Sequence, residues 1–447
     1  MVETETKIQR YESYKDSGVE WLGDIPEHWD MERLGSILNP ISSKNHPEET
    51  LLSITREQGV IVRGLEDEDD NHNYIPDDLS GYKLLMEGQF GMNKMKAWQG
   101  SYGVSEYTGI VSPAYYTFDF TKEIYPRFFH LAIRSKLYVS FFGAASDGVR
   151  VGQWDLSKDR MKMIPFAIPP LPEQTAIAQF LDDKTTKIDE AIAIKQQQIA
   201  LLKERKQILI HKAVTKGVTS SAVEMKDSGV EWIGEIPEHW EVCNFRYLIK
   251  VLTDYTANGS FGDLAKYVTY QNEPSYSRLI RLTDLRKNLK KSGVYLNEKS
   301  HKYLSKSELF GGELLMANVG AYAGLAWIMP KIDSPASLAP NMFLIKPFEN
   351  KIQIKFLFNL INSNSYSKYI SIVAQSAAQP KLNKDNIRQL KIIFPPLSEQ
   401  NEIVNYIETA SAKIETSIGL KEQEIDKLQE YKSSLINSVV TGKVRII

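Results

Sequence analysis

The stretch that decides the fold is Pro169 to Gly217, which reads PPLPEQTAIAQFLDDKTTKIDEAIAIKQQQIALLKERKQILIHKAVTKG. Proline ends an incoming strand and is tolerated in the first turn of a helix, where its missing N–H costs nothing. No glycine or proline lies between Gln174 and Gly217. The sequence therefore predicts one helix of about 40 residues, roughly 60 Å long at ~1.5 Å per residue.

The predicted helix carries apolar residues in a heptad repeat. One heptad position holds Leu181, Ile188, Lys195, Leu202 and Leu209, and the other holds Ala178, Thr185, Ile192, Ile199, Lys206 and Ala213. This pattern is typical of a coiled-coil seam that contains two lysines. We expect these lysines either to fix the register of the helix pair or to extend their amino groups into solvent.

A second copy of this stretch runs from Pro395 to Lys443. Its seam consists of Ile407, Ile414, Lys421, Leu428 and Leu435, with Val404, Ser411, Ile418, Ile425, Lys432 and Val439. The two lysines recur at the same heptad positions. Because each helix has an apolar stripe that needs a partner, we predict that the two copies pair as an antiparallel coiled coil.

A shorter motif is also duplicated. Residues 15–30 read KDSGVEWLGDIPEHWD and residues 226–241 read KDSGVEWIGEIPEHWE, with thirteen of sixteen positions identical. We expect the tryptophans to pin a compact turn onto a core. His28 and His239 are expected to have a structural role, since no second type of metal ligand lies at suitable spacing nearby.

These repeats predict an α+β protein with two similar mixed α/β domains, each followed by a long helix. The predicted boundaries are residues 1–168 for the first domain and 169–217 for its helix, then 218–394 and 395–447 for the second pair. The scaffold repeats while its loops differ, which is expected if the loops bind two different targets.

The composition and the motifs of the chain exclude several classes of protein. The net charge is −2, and Cys243 is the only cysteine, which excludes a disulfide framework and a thiolate metal cluster. The longest apolar run, Leu314 to Met329, is too short to span a membrane, and the first residues lack the apolar core of a signal peptide. We expect a cytoplasmic protein. The sequence also contains no glycine-rich cofactor loop, Walker A motif, nuclease motif or metal-binding motif, so it predicts no catalytic site.

Two similar domains on antiparallel helices suit duplex DNA, whose half-sites lie about one turn (~34 Å) apart. Asn and Gln bind adenine, Arg binds guanine and Lys meets phosphate, so polar loop residues are candidate DNA contacts. In the first domain they are Asn93, Lys94, Lys96, Gln99, Arg150 and Gln153; in the second, Arg281, Arg286, Lys287, Asn288, Lys290, Lys291, Asn318, Gln375, Gln379 and Lys381. The alternative is that each is an ordinary solvated loop residue.

The duplicated tryptophan motif, the PPLPEQ and PPLSEQ helix starts and the twofold plan resemble the specificity subunits of type I restriction-modification systems. The resemblance covers nearly the whole chain. It implies that the chain has no enzymatic activity, and that each target recognition domain reads one half of an asymmetric, interrupted double-stranded DNA site. It also implies that the two helices set the gap between the halves.

The same resemblance implies partners. Two methyltransferase subunits, which bind S-adenosylmethionine, are expected to dock on the chain; two restriction subunits, where present, would use ATP and Mg²⁺. No cofactor is expected in this chain itself. The predicted docking surface consists of Glu173, Gln174, Lys203 and Arg205 with Glu399, Gln400 and Lys427.

Two other functions remain open at this point. The chain could be a self-contained restriction and methylation enzyme, which the missing cofactor and nuclease motifs disfavour. It could also be a coiled-coil scaffold that binds only proteins and does not recognise a DNA sequence.

Overall fold

A computed structural model of the chain describes residues 8–64, 75–148, 154–218, 223–290, 293–374 and 380–446. The chain forms two compact units. The first comprises Met1–Gln196 with Glu422–Ile447, and the second comprises Gln197–Lys421. Each of the two long helices therefore contributes one part to each unit.

The elements of the first part of the chain are numbered in chain order. The strands are β1 (Ile8–Gln9), β2 (Tyr14–Asp16), β3 (Asp24–Pro26), β4 (Asp30–Arg33), β5 (Leu38–Ile41), β6 (Leu52–Thr55), β7 (Gly59–Val62), β8 (Lys83–Leu85), β9 (Phe90–Met92), β10 (Tyr102–Val104), β11 (Gly109–Val111), β12 (Tyr116–Phe120), β13 (Ser146–Asp147), β14 (Asp155–Leu156) and β15 (Pro165–Ile168). The helices are α1 (Leu34–Ile37), α2 (Pro126–Ile133), α3 (Lys136–Ala144), α4 (Lys158–Lys162) and the long α5 (Leu171–Lys216), with a 3-10 turn at Ala97–Gln99.

The rest of the chain repeats this order with additions. The strands are β16 (Met225–Asp227), β17 (Glu235–Pro237), β18 (Glu241–Asn244), β19 (Ile249–Asp254), β20 (Tyr270–Gln271), β21 (Ser277–Ile280), β22 (Val294–Leu296), β23 (Glu308–Leu309), β24 (Leu314–Ala317), β25 (Ala326–Ile328), β26 (Ala336–Leu338), β27 (Met342–Pro347), β28 (Lys391–Phe394) and β29 (Arg445–Ile446). The helices are α6 (Phe261–Tyr267), α7 (Leu282–Leu285), α8 (Glu298–Tyr303), α9 (Ile354–Ile361), α10 (Asn364–Ala374), α11 (Lys384–Gln389) and the long α12 (Leu397–Val440), with 3-10 turns at Phe245–Tyr247, Tyr255–Asn258 and Ser305–Ser307.

Both units contain the same four-stranded antiparallel sheet. Its strand order is β10-β9-β12-β5 in the first unit and β25-β24-β27-β19 in the second. In both, the strand of the sheet that comes last along the chain, β12 or β27, is followed by two helices, α2 and α3 or α9 and α10. The prediction of two similar mixed α/β domains, each followed by a long helix, is confirmed.

In the second unit both faces of this sheet are covered, so its central strand β24 is apolar throughout. In β24, Leu314 and Met316 pack in a core with Phe356 of α9, whereas Leu315 belongs to a second core with Leu344. This alternation follows from the period of two of a strand. The second core lies under a five-stranded sheet of order β20-β22-β21-β26-β23. The first unit has smaller two-stranded sheets instead, β6-β7 and β8-β11.

The strand that begins each domain pairs with the strand that ends it. Strand β4 pairs antiparallel with β15, so that Asp30 lies opposite Ile168 and Arg33 opposite Pro165. Strand β18 pairs in the same way with β28. The residues between these two paired strands therefore form one continuous segment in each domain, 34–164 in the first and 245–390 in the second.

The long helices pair antiparallel within each unit. In the first unit Lys432 Nζ lies 2.6 Å from Asp189, and Lys195 pairs with Glu424. In the second, Lys206 Nζ lies 2.8 Å from Glu415. The lysine side chains are 26–30% exposed, so they leave the seam at its edge and pair across the helices. Exposed pairs contribute about 0.2–1 kcal/mol each, which suits a role in register more than in stability.

Each tryptophan motif fastens the start of one long helix and the end of the other. In the first unit His28 Nε2 lies 2.8 Å from Glu173 Oε2, and Lys443 donates to the carbonyl oxygen of Leu22 at 2.7 Å. In the second unit His239 Nε2 lies 2.7 Å from Glu399 Oε2, and Lys216 donates to the carbonyl oxygen of Glu235 at 2.6 Å. The structural role expected for both histidines is confirmed.

Gln174 and Gln400 correct the predicted docking surface. Both side chains are buried. Gln174 accepts from the backbone N–H of Tyr125 at 2.8 Å, and Gln400 accepts from that of Gln353 at 2.7 Å. Each amide also donates to the carbonyl oxygen of the proline five residues before it. These glutamines bind the helix starts to their own domains, so neither is available to a partner.

The described residues contain no helix that is both long and apolar enough to cross a membrane. They also contain no group of three or more His, Cys, Asp or Glu side chains arranged to hold a metal ion.

Candidate nucleic-acid interface

The loop of residues 93–101 joins β9 to β10 at one end of the first sheet. Asn93, a predicted base reader, is buried in it. Its side-chain oxygen accepts from the backbone N–H of Met95 at 3.2 Å, and its amide donates to the hydroxyl of Tyr115 at 3.3 Å. Asn93 therefore shapes the loop in this structure.

Other predicted contacts are more accessible. Lys96 is exposed and Gln99 is half-buried. Lys94 Nζ lies 3.1 Å from Asp155 Oδ2, which joins the loop to β14. Arg150 and Gln153 lie outside the described residues. The loop thus presents Lys94, Lys96 and Gln99 together, beside the strand that follows the undescribed segment.

Arg134, at the end of α2, organises this region and has no signal in the sequence. Its guanidinium donates to the carbonyl oxygens of Gly100 and Tyr102 at 3.2 and 2.6 Å. It also donates to those of Arg56 and Glu57, in the turn between β6 and β7, at 2.9 and 2.8 Å. One side chain thus fixes the end of the 93–101 loop and a neighbouring hairpin.

His130 lies one helical turn before Arg134 and is mostly buried. Its Nδ1 lies 3.3 Å from the carbonyl oxygen of Val104. Gly59 and Gly103 allow this close packing, because a Cβ atom on either would lie 3.2 or 3.1 Å from the imidazole. Burial lowers the pKa of His130 from 6.5 to about 4, and the charges of Arg134 and Arg127 act in the same direction.

This pKa predicts a pH-dependent stability. Between pH 6.5 and about 4 the unfolded chain binds a proton at His130 that the folded chain does not, so stability falls as pH falls through this window. The loss is at most roughly 3 kcal/mol. Denaturant unfolding across this window should show that His130→Phe removes that part of the pH dependence; His46→Phe, at a partly exposed histidine of the same unit, is the control. An unchanged slope in His130→Phe would contradict the assignment.

In the second unit, the loop of residues 318–325 occupies the position of the 93–101 loop, since it follows β24 and precedes β25. The backbone N–H of Gly320 donates to the carbonyl oxygen of Pro380 at 2.9 Å, and that of Leu382 to Asn318 at 2.8 Å. Lys381, a predicted contact, is exposed and pairs through its backbone with Val319. Two predicted sites, Asn318 and Lys381, are therefore neighbours.

The basic segment of residues 286–290 approaches the same loop. The guanidinium of Arg286 lies 4.1 Å from the ring centre of Tyr322. Lys287, Asn288 and Lys290 are exposed. Lys291, Gln375 and Gln379 lie outside the described residues. The structure thus brings Arg286, Asn318 and Lys381 from separate parts of the sequence to one surface.

The backbone of this segment is strained and firmly held. Asn288 and Leu289 have φ angles of 48° and 58°, which only short polar residues and glycine adopt readily. The carbonyl oxygen of Leu289 accepts from Arg278 at 3.2 Å, and its N–H donates to the carbonyl oxygen of Asp284 at 2.9 Å. Such strain persists only where surrounding contacts hold it, and it is concentrated at functional sites.

Asp284 anchors the segment. Its buried carboxylate accepts from Nε and Nη2 of Arg281, each at 3.0 Å. Burial would raise the pKa of Asp284, but hydrogen bonds from the Arg281 side chain and backbone outweigh it and lower this pKa. The base-reading fork predicted at Arg281 is thus occupied by Asp284. The spacing of three residues between them is a sequence signal that would have identified this pair.

Comparison with known proteins gives the family. A model described as "Type I restriction modification DNA specificity domain" matches residues 101–204 and 237–427. The chain is 27% identical over 317 residues to the type I restriction enzyme MjaVIII specificity subunit of Methanocaldococcus jannaschii, covering 70% of this chain and 69% of that protein. It is 24% identical over 447 residues to the putative MjaX specificity subunit of the same organism, covering 95% and 96%.

A solved structure has the same fold. It comes from a study headed "Structural basis underlying complex assembly and conformational transition of the type I R-M system", and its chain matches with a TM-score of 0.69 at 12% identity. The match covers 93% of this chain and 98% of that one.

Proposed function

The chain belongs to the family of type I restriction modification DNA specificity domains, and from this premise we propose that it reads a bipartite DNA site through its two domains. In this proposal each domain recognises one half of an asymmetric site. The observation that carries it is duplication with divergence. The same four-stranded sheet recurs in both units, but the loop that joins two of its neighbouring strands reads NKMKAWQGS at residues 93–101 in one and NVGAYAGL at residues 318–325 in the other.

The two candidate surfaces differ in chemistry, which supports two different half-sites. The first presents Lys94, Lys96 and Gln99. The second presents Arg286 on Tyr322, with Lys381 beside it. Arg suits guanine, and amide side chains suit adenine. Lysines suit phosphates, which position a protein without carrying sequence information.

We propose that the chain acts through partners. The family membership confirms that the chain is a non-catalytic specificity subunit, which removes the alternative of a self-contained enzyme. In our proposal the helices α5 and α12 set the gap between the half-sites and dock two methyltransferase subunits, with restriction subunits joining where present. S-adenosylmethionine then belongs to the methyltransferase partner, and ATP and Mg²⁺ to the restriction partner. We propose that the complex acts in the cytoplasm, where it would meet its DNA.

The proposal is tested by mapping N6-methyladenine in DNA from cells that express this chain with its methyltransferase partner. We expect an interrupted, asymmetric motif that is methylated only when this chain is present. The control is the same strain expressing the methyltransferase alone. If the complex forms but no sequence-dependent methylation appears, the proposal fails and a scaffold that binds only proteins is favoured.

A further inference from the structure

Four lysines from separate segments of the first unit lie near one another, around Lys83. Lys83 begins β8, Lys94 follows β9 and Lys158 begins α4. Lys44 lies next to Ser43, whose carbonyl oxygen accepts from the N–H of Leu84 at 2.8 Å. The amino groups of Lys158 and Lys83 lie 4.4 and 6.0 Å from the ring centre of Tyr116. We call Lys44, Lys83, Lys94 and Lys158 the lysine cluster.

The positive charge of this cluster is poorly balanced. Lys94 pairs with Asp155, and Lys83 donates to the carbonyl oxygen of Tyr115 at 2.5 Å. Within the described ranges, the amino groups of Lys44, Lys83 and Lys158 form no ion pair with a carboxylate.

The positive charges of the cluster repel one another, and the repulsion acts on Lys83. Burial lowers the pKa of Lys83, and the charges of Lys158, Lys44 and Lys94 lower it further. Like charges held this close cost free energy that a bound anion would offset.

We propose that the lysine cluster binds phosphates of the DNA backbone beside the 93–101 loop. Lys94 belongs to both the cluster and the loop, so a strand held by the cluster passes next to the candidate base readers. The Tyr116 ring supports Lys158 through a cation–π contact. The proposal rests on the proposed function and extends it, because it assigns phosphate binding to Lys44, Lys83 and Lys158.

The test uses the full chain in complex with its methyltransferase partner. The double variant Lys44→Gln/Lys158→Gln changes two exposed side chains. Binding is measured by fluorescence anisotropy over a series of salt concentrations, on one duplex with the methylated motif and one without it. Loss of two phosphate contacts should reduce the slope of log K against log salt by about two. At about 0.1 M salt, affinity should fall roughly 10- to 100-fold on both duplexes.

Lys162→Gln is the matched control, since Lys162 is exposed on the same helix as Lys158 but does not act on Lys83. It should leave the salt slope unchanged, and the methylated motif should be the same for all three proteins. If the double variant has the same salt slope as Lys162→Gln, the lysine cluster does not bind phosphates, and the proposed function is unaffected. A wild-type complex that does not bind DNA overturns the proposed function as well.

Discussion

Replacing Trp240 with alanine is expected to lower the free energy of unfolding of the second unit by about 3–5 kcal/mol. Trp240 is completely buried, and its ring meets that of Phe356 edge-on at 6.3 Å. Its indole N–H also donates to Glu399 Oε1 at 3.1 Å, so the substitution removes a partner of the carboxylate that holds His239. Denaturant unfolding combined with limited proteolysis measures the loss and locates it.

Trp29→Ala is the matched comparison in the first unit. Trp29 is equally buried, but among the described residues its indole nitrogen has no hydrogen-bond partner. We therefore expect a loss confined to packing, with the first unit becoming sensitive to protease. A loss of less than about 1 kcal/mol for Trp240→Ala would show that the motif is not essential to the core it covers.

Exchange of residues 34–164 for the corresponding region of a relative is expected to replace one half of the methylated motif and leave the other half unchanged. The physical reason is the pairing of β4 with β15, which places Arg33 opposite Pro165. A graft that joins at these two positions keeps the paired strands of the recipient. Mapping of N6-methyladenine is the measurement.

The reciprocal exchange, of residues 245–390 between β18 and β28, should change only the other half, since Asn244 lies opposite Lys391 there. Each exchange is thus the control for the other. If either one altered both halves of the motif, the two domains would not read DNA independently, and the modular interpretation would be wrong.

Position in a polar loop predicted exposure for several candidate DNA contacts, and their contact with DNA stays a prediction. Lys96, Lys287 and Lys381 are exposed as expected. Asn93 and Arg281 were chosen by the same rule, yet their side chains bind within the protein. Residue type and loop position do not distinguish these cases, because the distinction depends on which partner the fold places within hydrogen-bond distance.

The sequence by itself determined the duplication, the two long helices and their seam. Heptad spacing and proline position are local properties, and a helix repeats them along one continuous segment. The tertiary structure alone decided the roles of Gln174 and Gln400, whose partners lie near Tyr125 and Gln353. It alone brought Lys44, Lys94 and Lys158 close to Lys83. Sheet pairing joins segments far apart in sequence, so neither arrangement can be read from spacing. The Pro169–Gly217 stretch predicted that a helix would need a partner, and the fold determined which side chains fasten it.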